Sequence, residues 1–280
     1  TDGDMDKAVE LLREKGLAKA AKKAGRVAAM GLVKTAFAED GKAAAIVEVN
    51  SETDFVAKND EFVSFVETLA KMALENDAAD MDAFMALPYG DEGSVQDVLT
   101  NKIATIGENM SIRRFERLAE PGVVYTGYIH GNGSIGVIVG IKTDATADDI
   151  AVVGKDVAMQ VASMNPKFLD ETQVDQDWLA SETEIAKQQL LNEGKKEELL
   201  DRIIPGKIKA ILKEVCLVDQ KFVKDGDLTV KEYVDGAAKS AGKDMAVASM
   251  IRYEVGEGIE KKEEDFAAEV AAQQAAAAKK

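Results

Sequence analysis

The sequence has 280 residues, with 35 lysines and arginines against 51 aspartates and glutamates, a formal net charge of −16 and 46% apolar residues. That length can bury real cores and fits about two domains, while the acidic balance argues against nucleic acid as the main ligand, because phosphates repel a surface of this sign. The single cysteine, Cys216, leaves no internal disulfide to form, and neither a membrane span of ~18 continuous apolar residues nor an export leader is expected.

The first segment reads as a helix, with Met5, Ala8, Val9 and Leu12 on one face, acidic residues in its first turn and Gly16 as its C-terminal cap. Leu17 to Arg26 is locally basic and reads as a solvated connector. Strands Gly31–Phe37 and Ala43–Asn50 then flank Glu39-Asp40-Gly41, a hairpin signal. Phe62, Phe65, Val66, Leu69 and Ala73 recur at helical spacing. After a polar interlude around Pro88, Ser94 and Asp97 form a capping pair for a helix that Gly107 ends, and a strand through Met110, Ile112 and Phe115 follows.

The same order repeats. Val123 to His130 and Ile135 to Ile141 flank Gly131-Asn132-Gly133, and a helix from Asp148 to Met164 stops at Asn165-Pro166. Gly41 to Val49 and Gly133 to Ile141 occupy equivalent places, and Ala246 to Glu254 is the expected closing strand of the second unit. Between them, Asp175–Leu191 and Lys195–Glu214 read as a helical hairpin, with Pro205 expected to kink or split its second arm. Ile185, Leu190, Leu199, Leu200 and their neighbours offer more apolar surface than a lone helix pair covers. Lys261 to Lys280 is a helix by propensity. The expected fold class is therefore α+β: two related small antiparallel-sheet-plus-helix subdomains, an inserted helical hairpin and a C-terminal helix.

Enzymatic chemistry finds little support. One histidine and one cysteine cannot build the usual Cys/His zinc site, and neither a Walker loop nor a strand-linked G-x-G-x-x-G is present. Nothing selects a carboxylate pair from the many acids, which spread over helices as solvated faces. No catalytic, metal or cofactor-binding residue is assigned, and no cofactor is expected. Two places stand out. Ser51 to Asn59 lies between a buried strand and an amphipathic helix. In one reading Asp54 or Asn59 caps that helix and Phe55 tucks under the sheet; in the other, Phe55 is an exposed aromatic on a rigid turn, a wedge for a partner. Spacing alone favours the first. His130 is equally ambiguous, since a histidine at a hairpin end is more often a satisfied surface group than a ligand.

Glu48-Val49-Asn50 followed by Thr53-Asp54-Phe55-Val56-Ala57-Lys58 resembles the first signature of the elongation factor Ts family, exchange factors for the GTPase elongation factor Tu. Ile106-Gly107-Glu108-Asn109 with Ile112-Arg113-Arg114 resembles the second. Gly127 to Gly131, Phe222-Val223, Ile251 to Lys261 and Asp265 to Val270 agree in order along the chain. The resemblance implies a non-enzymatic translation elongation factor that binds elongation factor Tu·GDP, disturbs its Mg²⁺ and phosphate site and promotes GDP release so that GTP can bind. Thr53, Asp54, Phe55 and Val56 would meet the GTPase near its Mg²⁺, with Phe55 as the wedge. Ile106, His130 and Val223 would be further contacts.

It also implies a layout. Residues 1–26 would be the last helix of an N-terminal ubiquitin-associated-like module, most of which the sequence lacks, plus a basic connector. Residues 27–120 would be the first core subdomain, 121–168 with 217–258 the second, 169–216 an inserted coiled-coil or dimerisation module, and 259–280 a C-terminal module. The expected setting is the cytoplasm, with an organelle matrix as alternative, without membrane or direct nucleic-acid partners and with self-association through the hairpin. The rival readings are a non-catalytic scaffold for elongation factor Tu and an acid/base enzyme.

Overall fold

The computed structural model describes residues 4–260, apart from the side chains of Asp6, Ala8 and Val9; the expected helix at Lys261–Lys280 lies outside the described residues. Helix α1 (Met5–Lys23) packs on a later helix. Strands β1 (Met30–Phe37), β2 (Ala44–Ser51) and β3 (Met110–Leu118) form an antiparallel sheet in the order β1-β2-β3. Between β2 and β3 come helices α2 (Asp54–Ala57), α3 (Asp60–Glu75), α4 (Met81–Met85) and α5 (Val95–Ile106). The second sheet, order β4-β5-β8, contains β4 (Val123–His130), β5 (Ile135–Thr143) and β8 (Met245–Glu254). Helix α6 (Ala147–Met164) covers it. Helices α7 (Gln176–Asn192) and α8 (Leu200–Val215) make the inserted hairpin, and a two-stranded ribbon, β6 (Lys221–Phe222) and β7 (Asp225–Thr229), leads into α9 (Val230–Ala241).

Both central strands are buried on both faces, and period-two alternation explains how. From β2, Ala45, Val47 and Val49 join Phe62, Phe65 and Leu69 of α3 in one core. Val137, Val139 and Ile141 of β5 join Ile150, Val157 and Val161 of α6 in a second. The opposite faces meet each other: Val33, Ala44, Ile46, Val123, Tyr125, Ile138 and Tyr253 form a third core between the sheets. The result is four layers, helix–sheet–sheet–helix. Contact between the sheets is close because β5 presents glycine there; a Cβ on Gly136 would stand 2.3 Å from Val33 Cγ1.

The repeat seen in the sequence extends to the junction. With Gly41 aligned on Gly133, Val33 falls on Tyr125. The Val33 N–H donates to Gly133 O at 2.8 Å, and the Tyr125 N–H donates to Gly41 O at 2.7 Å, one bond made twice across a pseudo-twofold. The pairing register also shifts at equivalent places, between Glu48 and Val49 in β2 and between Gly140 and Ile141 in β5.

Several expectations need correction. Gly16 does not cap α1, which runs on to Lys23, so the basic stretch taken as a connector is mostly helix. Gly16 is buried where α1 packs on α5, and a Cβ there would lie 3.6 Å from Asn101 Oδ1, an ordinary van der Waals contact; the helix runs through it despite the ~1 kcal/mol that glycine costs inside a helix. Met5 and Leu12 of the proposed apolar face are exposed. Pro205 lies within α8 and does not split it. The polar interlude holds α4, which anchors Phe84 in the first core. The β6–β7 ribbon and α9 have no counterpart in the expectations. The expected capping pair does form: Ser94 with Asp97 is a reciprocal capping box on α5, Thr146 with Asp149 makes an unforeseen one on α6, and Gly107 and Asn165 close those helices in the left-handed region. Among the described residues no helix is long and apolar enough to cross a membrane.

Candidate partner-binding site

The segment after β2 is a single helical turn set between two caps. Thr53 Oγ1 accepts from the Val56 N–H to start α2, and Asn59 Oδ1 accepts from the Glu61 and Phe62 N–H groups to start α3. Asn59 is thus the cap of the long helix, and Asp54 sits in the first turn of the short one. In a four-residue helix only one side can face the core. Ala57 is buried and Val56 packs partly against the first core. Phe55 points the other way and is 81% exposed, which overturns the reading that tucks its ring under the sheet.

The turn is braced by the second motif. Glu108 Oε2 accepts from the Thr53 N–H at 3.0 Å and Glu108 Oε1 accepts from Thr53 Oγ1 at 2.6 Å. Glu52 Oε1 accepts from the Asn109 N–H, and Asn109 Nδ2 donates to Arg26 O at 2.7 Å. Ser51 Oγ donates to Thr53 O at 3.0 Å. Ile106, half-buried at the end of α5, therefore leads through Gly107 directly into the residue that holds Thr53. Asp54 is paired within its own turn, accepting from Lys58 Nζ at 2.6 Å, and that bond holds its carboxyl below the usual aspartate range.

His130 ends β4 in the exposed hairpin, its Nδ1 3.0 Å from the Tyr128 hydroxyl. The hairpin and the α2 turn are the two walls of one groove of about 710 Å³, lined by Asp54 and Lys58 on one side and Ile129, Gly131 and Asn132 on the other. Of the expected residues, Asp54, Phe55 and Val56 lie on α2 and Thr53 caps it; Asp54 lines the groove, Ile106 packs partly against the first core, and His130 ends the strand that leads into the opposite wall. Val223 is set apart from these. It lies on the β6–β7 turn, 46% exposed, where its N–H donates to Gln160 Oε1 at 2.8 Å. Among the described residues no cluster of histidine, cysteine and carboxylate side chains could hold a metal ion.

Periodicity overlooked Glu48. It lies in the most buried strand and is wholly inaccessible, yet is charged. Burial pushes its carboxyl upward, but donors from Gly256, Asn50 and Arg114 outweigh burial and leave it below the ordinary value. A charge amid Ala44, Ala45, Ile46, Val47 and Val49 was the available signal.

The model of the family described as "Elongation factor TS" matches residues 52–257. The chain is 51% identical over 272 residues to "Elongation factor Ts" of Clostridioides difficile (strain 630), covering 97% of this chain and 89% of that protein. It is 50% identical over 273 residues to "Elongation factor Ts" of Clostridium botulinum (strain Eklund 17B / Type B), covering 98% and 90%, and 51% identical over 271 residues to that of Clostridium perfringens (strain SM101 / Type A), covering 97% and 89%. With a matching family model over most of its length and relatives at half identity along nearly all of it, the chain belongs to the elongation factor Ts family of translation elongation factors.

Proposed function

We propose that the protein accelerates GDP release from elongation factor Tu, with Phe55 as the wedge that opens the GTPase's Mg²⁺ and phosphate site. The observation that carries this is the Phe55 ring, largely exposed on a turn whose backbone is pinned by Glu108. Exposed aromatics on rigid supports are what partner binding uses, because little side-chain freedom remains to be lost on docking. GDP and Mg²⁺ hold a GTPase through mutual charge neutralisation with the phosphate loop. A factor that binds the nucleotide-free state more tightly must, by reciprocity of coupling, weaken nucleotide binding by the same factor. No bond to the nucleotide is broken, and incoming GTP reverses the linkage.

Thr53 and Val56 hold the turn, and Asp54 exchanges its Lys58 partner for groups of the opened GTPase. Ile106 and His130 extend the contact. Val223 touches a different part of the partner, consistent with its separate position on the β6–β7 turn. The division into 27–120, 121–168 with 217–258, and 169–216 belongs to this proposal, as do the cytoplasmic setting and self-association through the hairpin. Stopped-flow release of fluorescent GDP from elongation factor Tu tests the reading. Binding without accelerated release would leave only a scaffold.

A further inference from the structure

We infer that Glu48 is a positioning residue for exchange: its buried carboxylate fixes the α2 turn and the β4–β5 hairpin relative to one another. The inference rests on the reading of Phe55 as the wedge. At this point β3 bulges. Arg114 pairs with Glu48 and Ile112 with Val49, so Arg113 is the extra residue and both arginines fall opposite one glutamate. Arg113 Nη1 donates to Glu48 Oε1 at 3.1 Å, and Arg114 Nε donates to Oε2 at 2.6 Å. Asn50 Nδ2 donates to Oε1 at 3.0 Å and also reaches Met30 O in β1 at 3.2 Å. The carboxylate thereby sets the register of β2 on β3. That register puts Glu108 and Asn109, just before β3, beside Glu52 and Thr53, just after β2. A slip here would carry the brace away from the turn.

The fourth donor comes from the other sheet. The Gly256 N–H, just past β8, donates to Glu48 Oε1 at 2.8 Å. Its neighbour Val255 donates to Ser134 O at 2.9 Å, and the Ser134 N–H donates to His130 O at 3.0 Å. Arg113 also donates to Glu257 O, and Arg114 donates to Glu254 O at 3.2 Å while its guanidinium lies 4.0 Å from the centre of the Tyr253 ring. Gly256 has φ +70°, and a Cβ on it would stand 2.2 Å from Ala29 O, so this exit from β8 has little freedom to move. One carboxylate thus connects by short bonded paths to both walls of the groove. A buried charge with several donors is costly to disturb, because each donor left unpaired keeps its desolvation penalty.

The test is a double-mutant cycle on the full chain: parent, Glu48→Gln, Phe55→Ala and the double variant, each assayed for maximal rate and half-saturation in fluorescent GDP release, with circular-dichroism melting as the control for folding. Folded Glu48→Gln is expected to lower the maximal rate on the order of tenfold, since small misplacements of a reacting constellation cost rate steeply. That loss is expected to shrink to less than about twofold in the Phe55→Ala background, because a misplaced wedge and a missing wedge fail in the same step. Parental maximal rates from folded Glu48→Gln would overturn the inference, as would an undiminished loss in the Phe55→Ala background. Should Glu48→Gln not fold, Arg114→Met leaves the carboxylate its other donors and carries the same cycle, with an expected loss of about threefold. Parental exchange by Phe55→Ala alone would refute the wedge reading itself, a result separable from failure at Glu48.

Discussion

Removing the Phe55 ring is expected to separate exchange from stability. In the free protein Phe55 is 81% exposed and lies in a four-residue helix. Truncation to alanine therefore removes little packing, and a surface change of this kind stays within about 0.5 kcal/mol of the parent. In the proposed complex the same ring would be buried in the partner. Full burial of a large apolar side chain is worth roughly 1.5–3 kcal/mol, and if that energy is realised only against the opened GTPase it enters the coupling directly. At about 1.4 kcal/mol per factor of ten, Phe55→Ala is expected to slow GDP release by roughly 10- to 150-fold at a fixed factor concentration. The assay is stopped-flow release of fluorescent GDP, run beside thermal melting of the isolated variant. Unchanged release would refute the wedge. A large loss of melting temperature would show that the ring supports the fold after all.

Three further outcomes are expected. Gly136→Ala should cost about 1–3 kcal/mol in urea unfolding, because its methyl group meets fully buried Val33 between the sheets; a neutral result would mean that the layers can part freely. Glu48 titrates below its ordinary value of 4.5 when folded, so its contribution to stability is complete above the unfolded pKa and is lost as pH falls through the folded one. The stability gap between parent and Glu48→Gln should therefore be widest near neutral pH and narrow in acid, whereas a gap constant from about pH 7 down to about pH 3, more than a unit below the ordinary glutamate value, would contradict the burial of a charged carboxylate. Ile185 and Leu199 of the helical hairpin are exposed, so sedimentation should reveal concentration-dependent self-association that Ile185→Glu weakens. A monomer at every concentration rules it out.

Local signals carried much of the fold. The Gly41 and Gly133 turns, the box at Ser94, the stop at Asn165 and the stripe from Phe62 to Ala73 all act within a few residues, and each formed where the pattern indicated. The misses lie where local signals mislead. Gly16 resembles a stop until α5 lies against it, Pro205 resembles a break, and the Asp-Gly-Asp of β7 offers no apolar run to betray a strand. Gly16 was settled by α5, about 85 residues away in sequence and outside any local window, whereas β7 is held by the adjacent strand β6 through a pairing that apolar periodicity does not signal.

The candidate site divides in the same way. Spacing offered Asp54 or Asn59 as the cap of the long helix, and Asn59 takes that place, because capping needs only a side-chain oxygen two or three residues from a free N–H; the short helix that Thr53 caps was not foreseen. Whether Phe55 faced inward or outward was not legible, since both choices satisfy the same pattern. Tertiary packing decided it by seating Ala57 and Val56 on the core and leaving the ring outside. Likewise, the sequence alone determined two similar sheets, but their face-to-face meeting depended on glycines of one sheet admitting side chains of the other. Only that meeting made Glu48 a junction, by bringing Arg113, Arg114 and Gly256 to one carboxylate across long stretches of chain.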